Sequence, residues 1–196
     1  MASLLSTRPS PGEYAPYYAG YIAAVPDGDL LALLERQGAE TVALLRSLSE
    51  SEGAYRYAPD KWSVKEMIGH VIDSERVFTY RALRVARGDR TPMPGFDQDD
   101  WVRGSNAAQR TLADLAAELA AVRAASVALF RGMDDEALAR RGIANNFEVT
   151  ARALAWIVTG HERHHRRLLG ERYLPARIGG TTAVGAAASG ATIANA

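Results

Sequence analysis

The sequence contains no cysteine. Disulfides, thiolate metal sites and cysteine nucleophiles are thereby excluded, and any transition metal must be held by nitrogen and oxygen donors. A surplus of charge is also missing, since 23 Lys plus Arg balance 23 Asp plus Glu. Proteins that bind duplex nucleic acid usually carry a basic excess, because each neutralised phosphate releases counterions. The balance argues against nucleic acid as a partner, and the run Arg163, His164, Arg166, Arg167 is expected to be a solvated helix face. No stretch approaches the ~20 apolar residues of a membrane span, and Met1 to Gly12 lacks an apolar core of signal-peptide length. The expected setting is cytoplasmic, with no membrane partner. Histidine is scarce too, at four residues, which makes its placement informative.

What is present fits one helical domain. The 196 residues, 47% apolar and 23% charged, suffice for one sizeable core but not for two independent ones. Residues 1–25, rich in Pro, Gly, Ser and Tyr, read as an irregular lead-in. A first helix is expected from a cap near Asp27 to about Leu48, with Leu30, Leu34, Gln37, Thr41, Leu44, Leu45 and Leu48 at helical spacing. Ser63 and Glu66 form a Ser-x-x-Glu capping box, with Trp62 and Met67 at the flanking staple positions, opening a second helix that Gly88 would stop. From Gly88 to Arg110 the prolines and glycines predict a long crossover loop of the kind that often covers a site. Thr111 opens a third helix reaching Gly132, with Leu112, Leu115, Leu119, Val122 and Leu129 on one face, and a short turn from Asp134 to Arg140 follows. After a polar loop, Gly142 to Glu148, Thr150 caps a fourth helix to roughly Tyr173. Nothing between these helices reads as a sheet. The expected fold is all-α: a four-helix bundle over 26–175, with a low-complexity tail, 176–196, that is flexible or packs on a partner chain.

His161 and His165 stand at i and i+4, so their rings leave the fourth helix on one face, one turn apart. That face also carries Ile157, Val158 and Leu168 and points inward, as does the stripe around His70 on the second helix. A single buried histidine is most simply a satisfied core residue. Three inward histidines are hard to satisfy together without a shared cation or a water network, which favours a metal site. His164 lies ~100° round the helix from His165 and belongs at the surface or behind the ligands. The segment His161-Glu162-Arg163-His164-His165 also spells His-Glu-x-x-His, the zincin signature in which the glutamate is general base. A zincin needs a further ligand downstream and a strand lining its cleft; only Glu171 follows, and no strand is expected, so the spelling is read as incidental. Asp73 and Ser74, one turn from His70, and Glu162 are candidates to support the ligands from behind. Arg81 is a candidate to hold an anionic group at the bundle mouth.

Lys61-Trp62-Ser63-Val64-Lys65-Glu66, then Gly69-His70 with Asp73 and Glu75, resemble the second-helix motif of the DinB-like (DinB/YfiT-like) family. Gly160-His161-Glu162-Arg163-His164-His165 resembles its fourth-helix motif, and Arg81 through Asp97 looks like a bacterial subgroup. The resemblance covers about Tyr21 to Leu174. It implies a four-helix bundle, often a homodimer, with one divalent ion (nickel, zinc, iron or manganese) on His70, His161 and His165. It also implies a small-molecule substrate, and the characterised relatives divide between metal-dependent hydrolases and enzymes using the low-molecular-weight thiols bacillithiol or mycothiol. Three imidazoles leave a coordination position open for water or for a thiolate. Hydrolysis through a metal-activated water is the leading expectation, thiol S-transfer the alternative, and a non-enzymatic metal-binding stress protein the third.

Overall fold

Each long helix begins where a side-chain oxygen takes up a first-turn N–H, a contribution of ~1 kcal/mol per cap. In the computed structural model, which describes residues 3–174, Asp29 accepts from the Ala32 amide to start α2 (Leu30–Ser47), and the Ser63–Glu66 capping box starts α4 (Val64–Ala86). Thr111 accepts from Asp114 to start α6 (Leu112–Arg131), and Thr150 accepts from Ala153 to start α8 (Ala151–Leu168). The cap of the first long helix is therefore Asp29 rather than Asp27, whose carboxylate is instead 2.8 Å from the Arg8 guanidinium. Shorter helices fill the connections: α1 (Ala19–Ala23), α3 (Glu50–Ala54), α5 (Gln98–Gly104) and α7 (Asp135–Ala139). The expected tail, 176–196, lies outside the described residues.

α2 packs on α6, and α4 packs on both α8 and α6. Arg131 near the end of α6 pairs with Glu35 near the start of α2, so these two run antiparallel. Gln37 and Glu40 of α2 meet Glu162 and Arg166 of α8 in the same order, so those two run parallel. His70 near the start of α4 meets His161 and His165 near the end of α8, so α4 is antiparallel to α8. It follows that α4 and α6 run parallel, which no short turn can achieve. The crossover must return along the length of α4, ~34 Å at 1.5 Å per residue, and it ends with Ala107 against Gly69, near the start of that helix. The expected crossover is thus present and needs its length, although it also holds α5 and a 3-10 turn, Ala107–Gln109.

One segment departs from the all-helical expectation. The polar stretch after α7 is a hairpin, β1 (Arg141–Ala144) antiparallel to β2 (Phe147–Thr150). Asn145 and Asn146, with φ of 48° and 66°, form its turn. Asparagine tolerates this left-handed region, and such a two-residue turn matches the twist of paired strands. Met93 of the crossover locks onto the hairpin through Met93 N to Ile143 O (3.0 Å) and Asn145 N to Met93 O (2.9 Å).

The lead-in contributes to the core. Leu5, Tyr18, Ile22 and Val25 are buried with Phe78, Trp156 and Val158, and the Trp156 indole donates to the Leu5 carbonyl at 2.8 Å. A second cluster, including Leu45, Met67, Ile68, Leu115, Leu119 and Leu169, fills the other part of the bundle. The third-helix stripe is also shifted: Val122 and Leu129 are only half-buried, while Arg123, Ser126, Val127 and Phe130 face inward. No helix of the described residues is long and apolar enough to cross a membrane.

Candidate metal centre

The antiparallel packing of α4 on α8 brings His70, His161 and His165 together, all three buried. His161 Nε2 lies 3.1 Å from His70 Nε2 and 3.1 Å from His165 Nε2. A neutral imidazole nitrogen carries either one hydrogen or one in-plane lone pair. His161 Nε2 has two close partners and cannot make a well-aligned hydrogen bond to both. Three lone pairs aimed at one cation remove the conflict. Two nitrogens each ~2.1 Å from one ion are ~3 Å apart when they subtend roughly a right angle, so the spacing fits that use.

Electrostatics favour the same protonation state. Burial, reinforced by nearby His164, pushes His70 down to about 4. Burial also carries His161 and His165 well below the ordinary histidine range, with the neighbouring imidazoles adding to it. At neutral pH the three rings are uncharged and their lone pairs are available. Aromatic rings wall the cluster: Trp62 lies 4.8 Å from the His70 ring, Phe78 lies edge-on 5.7 Å from His161, and Tyr21 lies 5.4 Å from it. Tyr21 reaches this position because α1 rests directly on Gly160, where any Cβ would fall on the Tyr21 carbonyl oxygen.

The other expected residues divide. Ser74 Oγ stands 3.5 Å from His70 Nδ1. Asp73 is half-buried, with its carboxyl pKa raised by burial, and faces Arg76 at 3.5 Å rather than a histidine. Glu162 points away from the cluster: it accepts from Gln37 Nε2 (2.5 Å), Thr41 Oγ1 (2.5 Å) and Arg123 Nη2 (2.7 Å). A carboxylate so engaged is not free to act as a zincin base, and the His-Glu-x-x-His spelling is incidental here. His164 is half-buried, its ring 5.3 Å from Tyr21. The basic run is less solvated than expected, with Arg163 donating to Ala24 O at 2.8 Å and Arg166 pairing with Glu40 at 2.8 Å.

Sequence reasoning missed Arg123, which also binds both carboxylate oxygens of Glu75. The signal was its i+4 spacing from Leu119 on the inward face of α6. This network ties α2, α4, α6 and α8 together directly behind His161.

The family model of the DinB superfamily matches residues 33–169, which includes all three histidines and all four long helices except the first residues of α2. The chain belongs to the DinB superfamily. Among solved structures it is similar to YfiT from Bacillus subtilis, with a TM-score of 0.67, at 18% identity over 86% of this chain and 95% of that one. YfiT is described as "a probable metal-dependent hydrolase with an unusual four-helix bundle topology". At that identity the likeness establishes the fold, including the DinB bundle with its long crossover. Among named relatives, OB0413 of Oceanobacillus iheyensis, which bears a provisional metal-dependent hydrolase name, is 31% identical over 58 residues. That match spans 29% of this chain and about a third (33%) of the relative's length.

Proposed function

We propose that His70, His161 and His165 hold one divalent transition metal (nickel, zinc, iron or manganese) through their Nε2 atoms, and that this DinB protein is a metal-dependent hydrolase of a small-molecule substrate. The observation that carries the reading is the meeting of three buried, uncharged imidazoles at 3.1 Å spacings around His161 Nε2. The names of OB0413 and YfiT support the reaction class. A divalent ion on three imidazoles supplies Lewis acidity, polarising a carbonyl and acidifying water. The chain's own residues do the rest. With Nε2 committed as a lone pair, Nδ1 of His70 carries the hydrogen, and Ser74 Oγ is the acceptor that steadies the ring. Trp62, Phe78 and Tyr21 exclude bulk water from the imidazoles, and the Arg123 network fixes α8 behind them.

Metal analysis of the purified protein tests this directly, with about one ion per chain expected. The double variant His161→Ala/His165→Ala is expected to bind none; full retention of metal would overturn the assignment. On cobalt-substituted protein, turnover of an ester or amide panel supports hydrolysis. A sulfur-to-cobalt charge-transfer band on adding bacillithiol or mycothiol, without such turnover, replaces hydrolysis by thiol transfer.

A further inference from the structure

Arg81 is 2% exposed, yet no carboxylate among the described residues pairs with it. Its hydrogen bond runs from Nη2 to the Pro94 carbonyl oxygen at 2.8 Å, which occupies one of five N–H groups. The other deeply buried arginine, Arg123, has two carboxylates. Removing an unpaired guanidinium from water costs stability, so an arrangement of this kind calls for a partner. Beside it lies Tyr18, 5% exposed, whose hydroxyl approaches the Arg81 guanidinium and the Tyr17 hydroxyl but makes no hydrogen bond of normal geometry to any described residue. Burial holds that phenol far above its ordinary range, so it keeps its proton and remains a donor.

These groups border the histidine cluster. Arg81 lies three turns beyond His70 on nearly the same face of α4, ~16 Å of helix rise. Long side chains on a helix lean toward its N-terminus, which from Arg81 is the direction of His70. The Phe78 ring spans the gap, edge-on to Tyr18 at 5.9 Å and to His161 at 5.7 Å. On the same stripe Ser74, Phe78 and Arg81 are buried, while Val77 is half-buried, so solvent touches this face of α4 at Val77.

We infer that Arg81 and Tyr18 form an anion subsite that takes a carboxylate carried by the substrate, with the substrate's reacting group at the histidines. A single guanidinium neutralises a single negative charge and matches the planar fork of a carboxylate. A phosphate dianion would leave a second charge buried and unpaired. The position of the ligand's far end rests on the metal-dependent reading; the subsite itself does not.

The test uses the full chain, freed of metal by chelation and titrated calorimetrically with acetate, butyrate and benzoate, each against its neutral amide. Saturable binding of at least one carboxylate is expected, about tenfold tighter than its amide. Arg81→Met and Tyr18→Phe should each weaken that binding, by about tenfold and about threefold. His161→Ala/His165→Ala should leave it unchanged, so loss of the metal reading and loss of the subsite are separable. Without ligand, Arg81→Met should melt at or above the wild-type temperature, because an apolar side chain of similar length replaces an unpaired buried charge. Three results overturn the inference: no carboxylate binds; the affinity is the same for acid and amide; or Arg81→Met lowers the melting temperature with affinity intact, which makes Arg81 a structural strap for Pro94. If Arg81→Met does not fold, Tyr18→Phe decides, and an affinity equal to wild type overturns it.

Discussion

Arg123 sits at the centre of the bundle, holding Glu75 through both carboxylate oxygens and Glu162 through Nη2, and donating from Nη1 to the Leu34 carbonyl. Removing it leaves two buried carboxylates without their cation. Breaking such a buried group by taking away one member costs ~3–5 kcal/mol, whatever the net worth of the intact set. Arg123→Met is therefore expected to lose about that much stability in urea denaturation, and a loss below ~1 kcal/mol would show that the network is not under this constraint. The neighbouring position Gly38 tightens the case, because a Cβ there would lie 2.7 Å from Arg123 Nη1 and 2.8 Å from its Cγ. Arg123 is pinned by its acceptors and cannot yield, so Gly38→Ala should cost ~1–3 kcal/mol as an overpacked contact.

Elements meet through two close backbone arrangements. At Gly160 any side chain strikes the Tyr21 carbonyl, so Gly160→Ala must push α1 off α8 and carry the Tyr21 ring away from His161. The expected result is a destabilisation of ~3 kcal/mol or more together with a weaker hold on metal, read by thermal melting and metal titration of the same variant. Unchanged melting would mean that α1 is not seated as described. In the hairpin, Asn146 holds φ of 66°. Asn146→Ala should destabilise the protein by ~1 kcal/mol and Asn146→Gly should be neutral or stabilising, since only the former meets a Cβ penalty in the left-handed region. Equal melting temperatures for the two variants would contradict the turn.

For the whole molecule, the buried histidines make stability depend on pH. His70 titrates at about 4 in the fold against 6.5 when exposed, and His161 and His165 lie well below 6.5. Between these values the unfolded chain binds more protons than the folded one, so unfolding free energy rises with pH. Metal-free protein should accordingly be most stable above pH 6.5 and lose stability as the pH falls from 6.5 towards 4. Melting curves in chelator across that window check this, and a flat profile would remove the basis for treating the rings as buried and neutral. Adding metal at a hundredfold excess over its dissociation constant should add ~2.7 kcal/mol by mass action. The His161→Ala/His165→Ala protein should show no such gain.

The sequence by itself determined the parts governed by local rules. Helix starts at Ser63, Thr111 and Thr150 follow from caps within four residues, and the i, i+4 pairing of His161 with His165 follows from helix geometry alone. The inward stripe of the second helix added His70 to that pair, and the family motif names the same three residues. The hairpin was not legible in the sequence: Asn145-Asn146 is a turn signal, but the polar residues around it lack the clear alternating apolar pattern of a half-buried sheet, so the stretch reads as a loop. Only the tertiary structure decided the rest. Glu162 carries a catalytic-looking spelling, but whether its carboxylate serves a metal or an arginine depends on Gln37, Thr41 and Arg123, which lie on two other helices. Arg81 was already a candidate to hold an anion, but its burial beside Tyr18 and Pro94 with no described carboxylate was set by the tertiary structure. Local sequence sets which face of a helix a side chain occupies; what meets it there is set by how distant segments pack, and the energy of a buried charge lies almost wholly in that meeting.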